Sequence, residues 1–299
     1  MLAVLGGHSD ICDLDRELCF VTLYNCTENS HRHGTMEDNN LIAKAGGHVQ
    51  LTTLYHKFVC KSFNEREHDF YQNIPQELRH VVPRYGGTLN SENGKFLVME
   101  NLTKDFVKPS VMDLKMGTRM YSDFASESKM ISQRRKSSRT TSSSLGVRFC
   151  GSLKYEAKSN DYKRTDKYTG RTADLFTLTS LLQDFFSISG TGKILRHIIK
   201  CVIKELKMIK DILEKLDGFR LYSSSLLIIY DTFGETNTSD SNPDDPLNPQ
   251  TTVPQVKVKI IDFANSALPG DAVAHPGPDT GFLLGVHSLI NMLELLILL

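Results

Sequence analysis

The sequence predicts an α+β fold in two parts, a small antiparallel sheet followed by a larger mixed portion. Runs rich in Val, Leu, Thr, Tyr and Phe at Val49 to Lys61 and Phe96 to Thr103 read as strands. A 3.6-residue apolar stripe, Leu195, Ile199, Val202, Leu206, Ile209, Leu213 and Leu216, predicts a long amphipathic helix over about 192–216. At 299 residues the chain is long enough to bury a substantial core and suits two lobes.

In chain order, residues 1–42 form an extension with short apolar runs and a polar patch from Thr27 to Asn40. Residues 43–103 make the first lobe. Gly46-Gly-His48 reads as a tight turn before two short strands that end at Lys61, and Arg66-Glu67-His-Asp-Phe70 starts a helix. Residues 104–299 make the second lobe, with a basic segment at about 120–172 in which Ser137 to Ser144 reads as a flexible loop. A helix follows over Leu175 to Phe186, and a strand over Leu221 to Asp231 in which hydroxyls give way to apolar residues. Residues 233–254 read as an acidic, proline-containing loop, and Val256 to Asp262 as an alternating strand. The apolar stretch Leu289 to Leu299 reads as a terminal helix packed on the second lobe, too short to span a bilayer.

Lysine plus arginine equals aspartate plus glutamate at 35 each, so no overall field favours nucleic acid or a membrane. Residues 108–171, however, carry 15 basic against 6 acidic side chains, which places any anionic ligand on the middle third. The six cysteines form no C-x-x-C pair and read as reduced thiols of an intracellular protein, cytoplasmic, with Arg134-Arg-Lys136 leaving nuclear import open. Cys12, Cys19 and Cys26, near His8, His31 and His33, do not have a usual zinc spacing.

The most informative stretch is Pro109-Ser-Val-Met-Asp113-Leu-Lys115-Met-Gly117-Thr-Arg119, a P-x-x-x-D-x-K-x-G pattern. In an extended segment Asp113 and Lys115 share a face, where a carboxylate and an ammonium can hold a nucleotide and neutralise a phosphoryl group in flight. A bare D-x-K is equally an ordinary strand with a surface ion pair, so the reading depends on other motifs falling in order. They do: Phe58-Val-Cys-Lys61, Phe96 to Thr103, Leu145 to Gly151, Lys167-Tyr-Thr-Gly-Arg171, Ser223-Ser-Ser225-Leu-Leu, Ile261-Asp262-Phe263 and Asp279-Thr-Gly281-Phe282.

This series resembles the inositol polyphosphate kinase family, closest to its inositol hexakisphosphate kinase branch, over about Lys44 to Leu295. The resemblance implies a two-lobed, kinase-like fold. It also implies transfer of the γ-phosphoryl group of ATP, with Mg2+, to an inositol polyphosphate, hexakisphosphate favoured, giving a pyrophosphate. It assigns Lys61 to the ATP phosphates, Glu67 to orienting Lys61, Glu100 and Leu102 to the adenine hinge, and Ser224 and Ser225 to the nucleotide. Asp113 would orient ribose or substrate, Lys115 neutralise the transferred group and Asp262 hold the metal. Arg119, Lys129, Gln133, Arg134, Arg135, Lys136 and Arg148 would meet substrate phosphates, Lys129, Gln133 and Lys136 lying on one helical face. Asn265 stands where the branch usually has histidine. A multikinase or trisphosphate kinase acting on a ring hydroxyl is the near alternative, and a catalytically weak phosphate-sensing scaffold the distant one. Protein partners are not specified by any motif.

Overall fold

The computed structural model describes residues 51–54, 57–92, 94–231 and 255–299. The expectations for residues 1–42, for Gly46-Gly-His48 and for the 233–254 loop fall outside them.

Strands β1 (Leu51–Leu54), β2 (Phe58–Ser62), β3 (Tyr85–Ser91) and β4 (Gly94–Glu100) form an antiparallel sheet in the order β1-β2-β4-β3. Between β2 and β3 lie α1 (Glu65–Asn73) and α2 (Gln76–Arg79). Asn64 caps α1, its side chain accepting from the Glu67 N–H at 3.0 Å. Phe70, Tyr71, Ile74 and Leu78 then turn toward the second lobe and join its core, so the two lobes share one apolar interior.

The second lobe is built on a five-stranded antiparallel sheet, order β7-β6-β5-β8-β9, from β5 (Ser110–Met116), β6 (Val147–Glu156), β7 (Asp161–Thr165), β8 (Ser225–Tyr230) and β9 (Val256–Ile261). Its back face, with Met112, Leu114, Met116, Leu226, Ile228, Val258 and Ile260, packs on helices. The helices of this lobe are α3 (Glu127–Ser138), α4 (Thr141–Leu145), α5 (Lys167–Thr172), α6 (Leu175–Phe185), α7 (Arg196–Leu213) and α8 (Thr280–Leu298), of which α6, α7 and α8 supply most of the residues packed on that face.

Three expectations change. Ser137 to Ser144 is not a flexible loop: Ser137 and Ser138 form the end of α3, and Thr141 and Ser142 are buried in α4. Ser137 donates to the Thr118 carbonyl, Thr140 to that of Ser137 and Ser143 to that of Thr140, so the hydroxyls satisfy local backbone and Gly146 closes the turn at φ +64°. Helix α7 starts at Arg196 because residue 194 still bridges Ser187 as extended chain. The terminal helix starts at Thr280, capped by Asp279. It is thus 19 residues long, apolar enough by length and composition to cross a membrane, but half of that span is buried in the fold.

Candidate active site

Alternation along β5 sends Val111, Asp113 and Lys115 to the front face of the large sheet. The β8 register sets Ile229, Leu227 and Ser225 opposite them. With Leu102 and Phe106, residues Val111, Leu227 and Ile229 make an apolar cluster, and Ile261 packs beside it. The front face is therefore greasy at one end and charged at the other.

At the charged end, Lys61 reaches in from β2. Its ammonium lies 2.9 and 2.7 Å from the two Glu67 oxygens and 2.8 Å from Asp262 Oδ1. Glu67 Oε1 also accepts the Phe263 N–H at 3.2 Å, and the Phe70 and Phe263 rings stack at 3.9 Å. A helix of the first lobe thus fixes both the lysine of its own sheet and the residue following Asp262. Lys115 Nζ lies 3.6 Å from Asp262 Oδ2 and donates to the Ser223 carbonyl at 2.8 Å.

The two carboxylates are driven apart electrostatically. Burial alone would raise Asp262, but the Lys115 and Lys61 ammoniums outweigh it and hold the group at about 2. Its lowered value means that the ion pairs are present above the ordinary carboxylate range and lost only as pH falls through about 2. Asp113 is pushed up by burial and by the Asp262 charge, against the pull of Lys115. Lys61 and Lys115 both lose by burial and gain more from their carboxylates, so both remain ammoniums.

A β-bulge supplies the next cation. The β5–β6 register slips between Asp113 and Leu114, so that Gly151 faces Asp113 while Arg148 faces Lys115. Cys150 takes up the extra position, which brings Arg148 onto the front face. The Arg148 side chain is buried, and its Nη1 has no hydrogen-bond partner. Burial, then Arg148, Arg171 and Lys167, pull the Lys136 ammonium downward, so these four cations form one wall. Lys167 and Arg171 belong to this wall although the sequence reading left their side chains unassigned. The signal was Gly170, where a Cβ would stand 2.0 Å from the Phe149 carbonyl oxygen, pressing α5 onto β6.

Other expected site residues lie differently. Lys129, Arg134 and Arg135 are exposed on α3 and Gln133 is half-buried. Arg134 donates to the Tyr121 hydroxyl at 2.7 Å. Arg119 is committed to the fold, bonding the Tyr121 carbonyl, the Tyr222 hydroxyl and Asp123. Ser224 is fully buried and donates to the Leu221 carbonyl at 2.7 Å, which makes it a turn-closing residue. Ser225 is also fully buried, its hydroxyl without a partner. Glu100 is paired with Arg84 and Lys104, and its N–H is used by the Arg84 carbonyl. The Leu102 carbonyl accepts from Lys257.

No group of three or more His, Cys, Asp or Glu side chains able to hold a metal occurs among the described residues. A metal held by one carboxylate together with nucleotide phosphates needs no such group. Asp262, 42% exposed at the mouth of the cleft, fits that arrangement.

A cleft between a small antiparallel sheet and a larger α+β lobe, with a Lys–Glu pair, an Asp-Phe segment and a cationic wall, defines a kinase-type phosphate-handling protein. The inositol polyphosphate kinase family profile matches residues 96–294, and the chain belongs to that family. It is 37% identical over 218 residues to human inositol hexakisphosphate kinase 2, covering 66% of this chain and 50% of that protein. It is 34% identical over 224 residues to rat inositol hexakisphosphate kinase 1, covering 67% and 51%. The chain thus spans about half the length of these relatives. The structure of an inositol phosphate multikinase from S. cerevisiae, in complex with ADP and Mn2+, superposes with a TM-score of 0.64 at 29% identity, covering 80% of this chain and 98% of that one.

Proposed function

We propose that this chain transfers the γ-phosphoryl group of ATP to an inositol polyphosphate, with inositol hexakisphosphate as the preferred acceptor. The observation that carries the reading is the meeting of Lys61, Lys115 and Asp262 within 2.8–3.6 Å beside a wall formed by Lys136, Arg148, Lys167 and Arg171. Its relatives are hexakisphosphate kinases, and its structural neighbour holds ADP with a divalent metal.

The apolar end of the cleft takes the adenine against Leu102, Leu227 and Ile229. Lys61, held by Glu67, meets the nucleotide phosphates. Asp262 would hold Mg2+, which would supply charge neutralisation for the nucleotide phosphates. Asp113 accepts a hydrogen bond from ribose or substrate. An oxygen of an acceptor phosphate forms a bond to the γ-phosphorus as the bond from that phosphorus to the β–γ bridging oxygen breaks, and ADP leaves. Lys115 neutralises charge on the group in transit. A phosphate acceptor is already ionised, so this route requires no base.

A second reading rests on the multikinase likeness and on the raised Asp113, whose carboxylate is suited to taking a proton from a ring hydroxyl. Incubation with ATP and, separately, inositol trisphosphate or hexakisphosphate separates the two. The favoured reading gives a pyrophosphate from hexakisphosphate, lost in Lys115→Ala. Hydroxyl phosphorylation of the trisphosphate alone gives the second reading, and binding without ATP consumption overturns both.

A further inference from the structure

The Lys115 ammonium is steered by a carbonyl on an unusual piece of backbone. Ser223 has φ +60°, a left-handed conformation that is unfavourable for a non-glycine residue and persists only where its surroundings impose it. On one side Ser224 is fixed, its carbonyl accepting the Met116 N–H at 3.0 Å and its hydroxyl bonding Leu221. On the other side Tyr222 enters a closed ring of contacts assembled from three separate parts of the chain.

The Arg119 guanidinium lies between the Tyr121 and Tyr222 rings, 4.5 and 4.1 Å from their centroids. It donates to the Tyr222 hydroxyl at 3.2 Å and to Asp123 Oδ1 at 2.6 Å. Asp123 Oδ2 is 2.7 Å from His275 Nε2, and the His275 ring meets the Tyr222 ring edge-on at 5.8 Å, closing the circuit. Asp123 is nearly inaccessible, its side chain 6% exposed. A surface salt bridge contributes little, but a buried carboxylate bonded by two cation-capable partners resists displacement.

We propose that Asp123 and His275, acting through Arg119 and Tyr222, are positioning residues that fix the Ser223 carbonyl and thereby aim Lys115 at the transferring group. This rests on the kinase reading above. It also reassigns Arg119, whose donors serve the ring, from substrate contact to support.

The test has two arms, using Asp123→Ala, Asp123→Asn and the milder Tyr222→Phe in the full chain. In the first arm, kcat for ATP and hexakisphosphate is expected to fall tenfold or more in Asp123→Ala and severalfold in Tyr222→Phe. Both KM values should stay within twofold, and Asp123→Asn should recover part of kcat. In the second arm, no turnover is needed: acylation of Lys115 by an amine-reactive ester, followed by mass spectrometry, should run severalfold faster in Asp123→Ala while Lys61 is unchanged. A rise in KM with kcat intact would make the cluster a substrate contact and overturn the proposal. Lowered melting temperature with unchanged kcat and unchanged Lys115 labelling would overturn it as well. If the unsubstituted protein transfers no phosphate, the functional reading fails and the labelling arm still decides the positioning role.

Discussion

Glu67 is nearly fully buried and serves three groups: the Lys61 ammonium, the Phe263 N–H and, through Lys61, the Asp262 carboxylate. Removing one partner of a buried ion pair leaves the other charge without compensation, which costs about 3–5 kcal/mol. Asp262 still faces Lys61, so Glu67→Ala should fall at the lower end of that range, and Glu67→Gln, which keeps the acceptor for Phe263, should lose less. Urea denaturation checks both, and equal stability of Glu67→Ala and the parent would remove Glu67 from the fold's support. These residues were legible in the sequence because each sits at a fixed spacing in a local motif: Lys61 and Glu67 six apart, Asp113 and Lys115 two apart, Asp262 at a strand end. Arg119 and Ser224, expected at the substrate and the nucleotide, have partners within the fold, Tyr222 and Leu221, and for Ser224 this is the turn-capping alternative the hydroxyl run also allows. Arg148 had the right residue type, but the bulge that brings it to face Lys115 is a property of strand pairing.

Whole elements were read well where burial is one-sided. Helix α7 buries every third and fourth residue, and its periodicity is visible directly, whereas β5 is buried on both faces and is marked by its motif instead. Helix α4 is not announced by its sequence because serine and threonine favour turns in isolation, yet Thr141 and Ser142 are buried within it. Helix α8 was read too short because Gly281 and Gly285 weaken the helical signal. They are there for proximity: a Cβ on Gly285 would stand 2.2 Å from the Gly146 carbonyl oxygen and 2.9 Å from the Met116 side chain, and one on Gly281 would stand 2.8 Å from the Thr118 hydroxyl. Backbone meets backbone here, and the obstructing carbonyl cannot rotate away as a flexible side-chain tip would. Gly285→Ala should therefore destabilise the protein by about 1–3 kcal/mol despite alanine's better helix propensity. Leu284→Ala, one position earlier and 39% exposed, should stay within about 0.5 kcal/mol. Thermal denaturation of the pair separates close approach from helix propensity, and a stabilised Gly285→Ala would show that the helix can draw back from β5 and β6.

Across the whole molecule the charges cancel, yet the cations are gathered where β6, α3 and α5 converge. They are of two kinds. Arg148 is buried on the sheet, while Lys129, Arg134 and Arg135 stand in solvent along α3. Screening distinguishes them, because exposed charges lose most of their reach beyond about 10 Å at 0.1 M salt, whereas buried ones are shielded far less. The exposed set should act by drawing a polyanion toward the cleft, and the buried set by holding it. Replacing Arg135 with alanine should thus raise KM for hexakisphosphate about two- to threefold at low salt, with the difference vanishing as salt rises. Replacing Arg148, which leaves bound phosphate without a close partner, should raise KM tenfold or more at every ionic strength, equivalent to at least about 1.4 kcal/mol. Initial rates across a salt series in both variants measure this directly. Parallel salt curves for the two would mean that the wall works as one diffuse field, and an unchanged KM in Arg148→Ala would place the substrate phosphates elsewhere on the molecule.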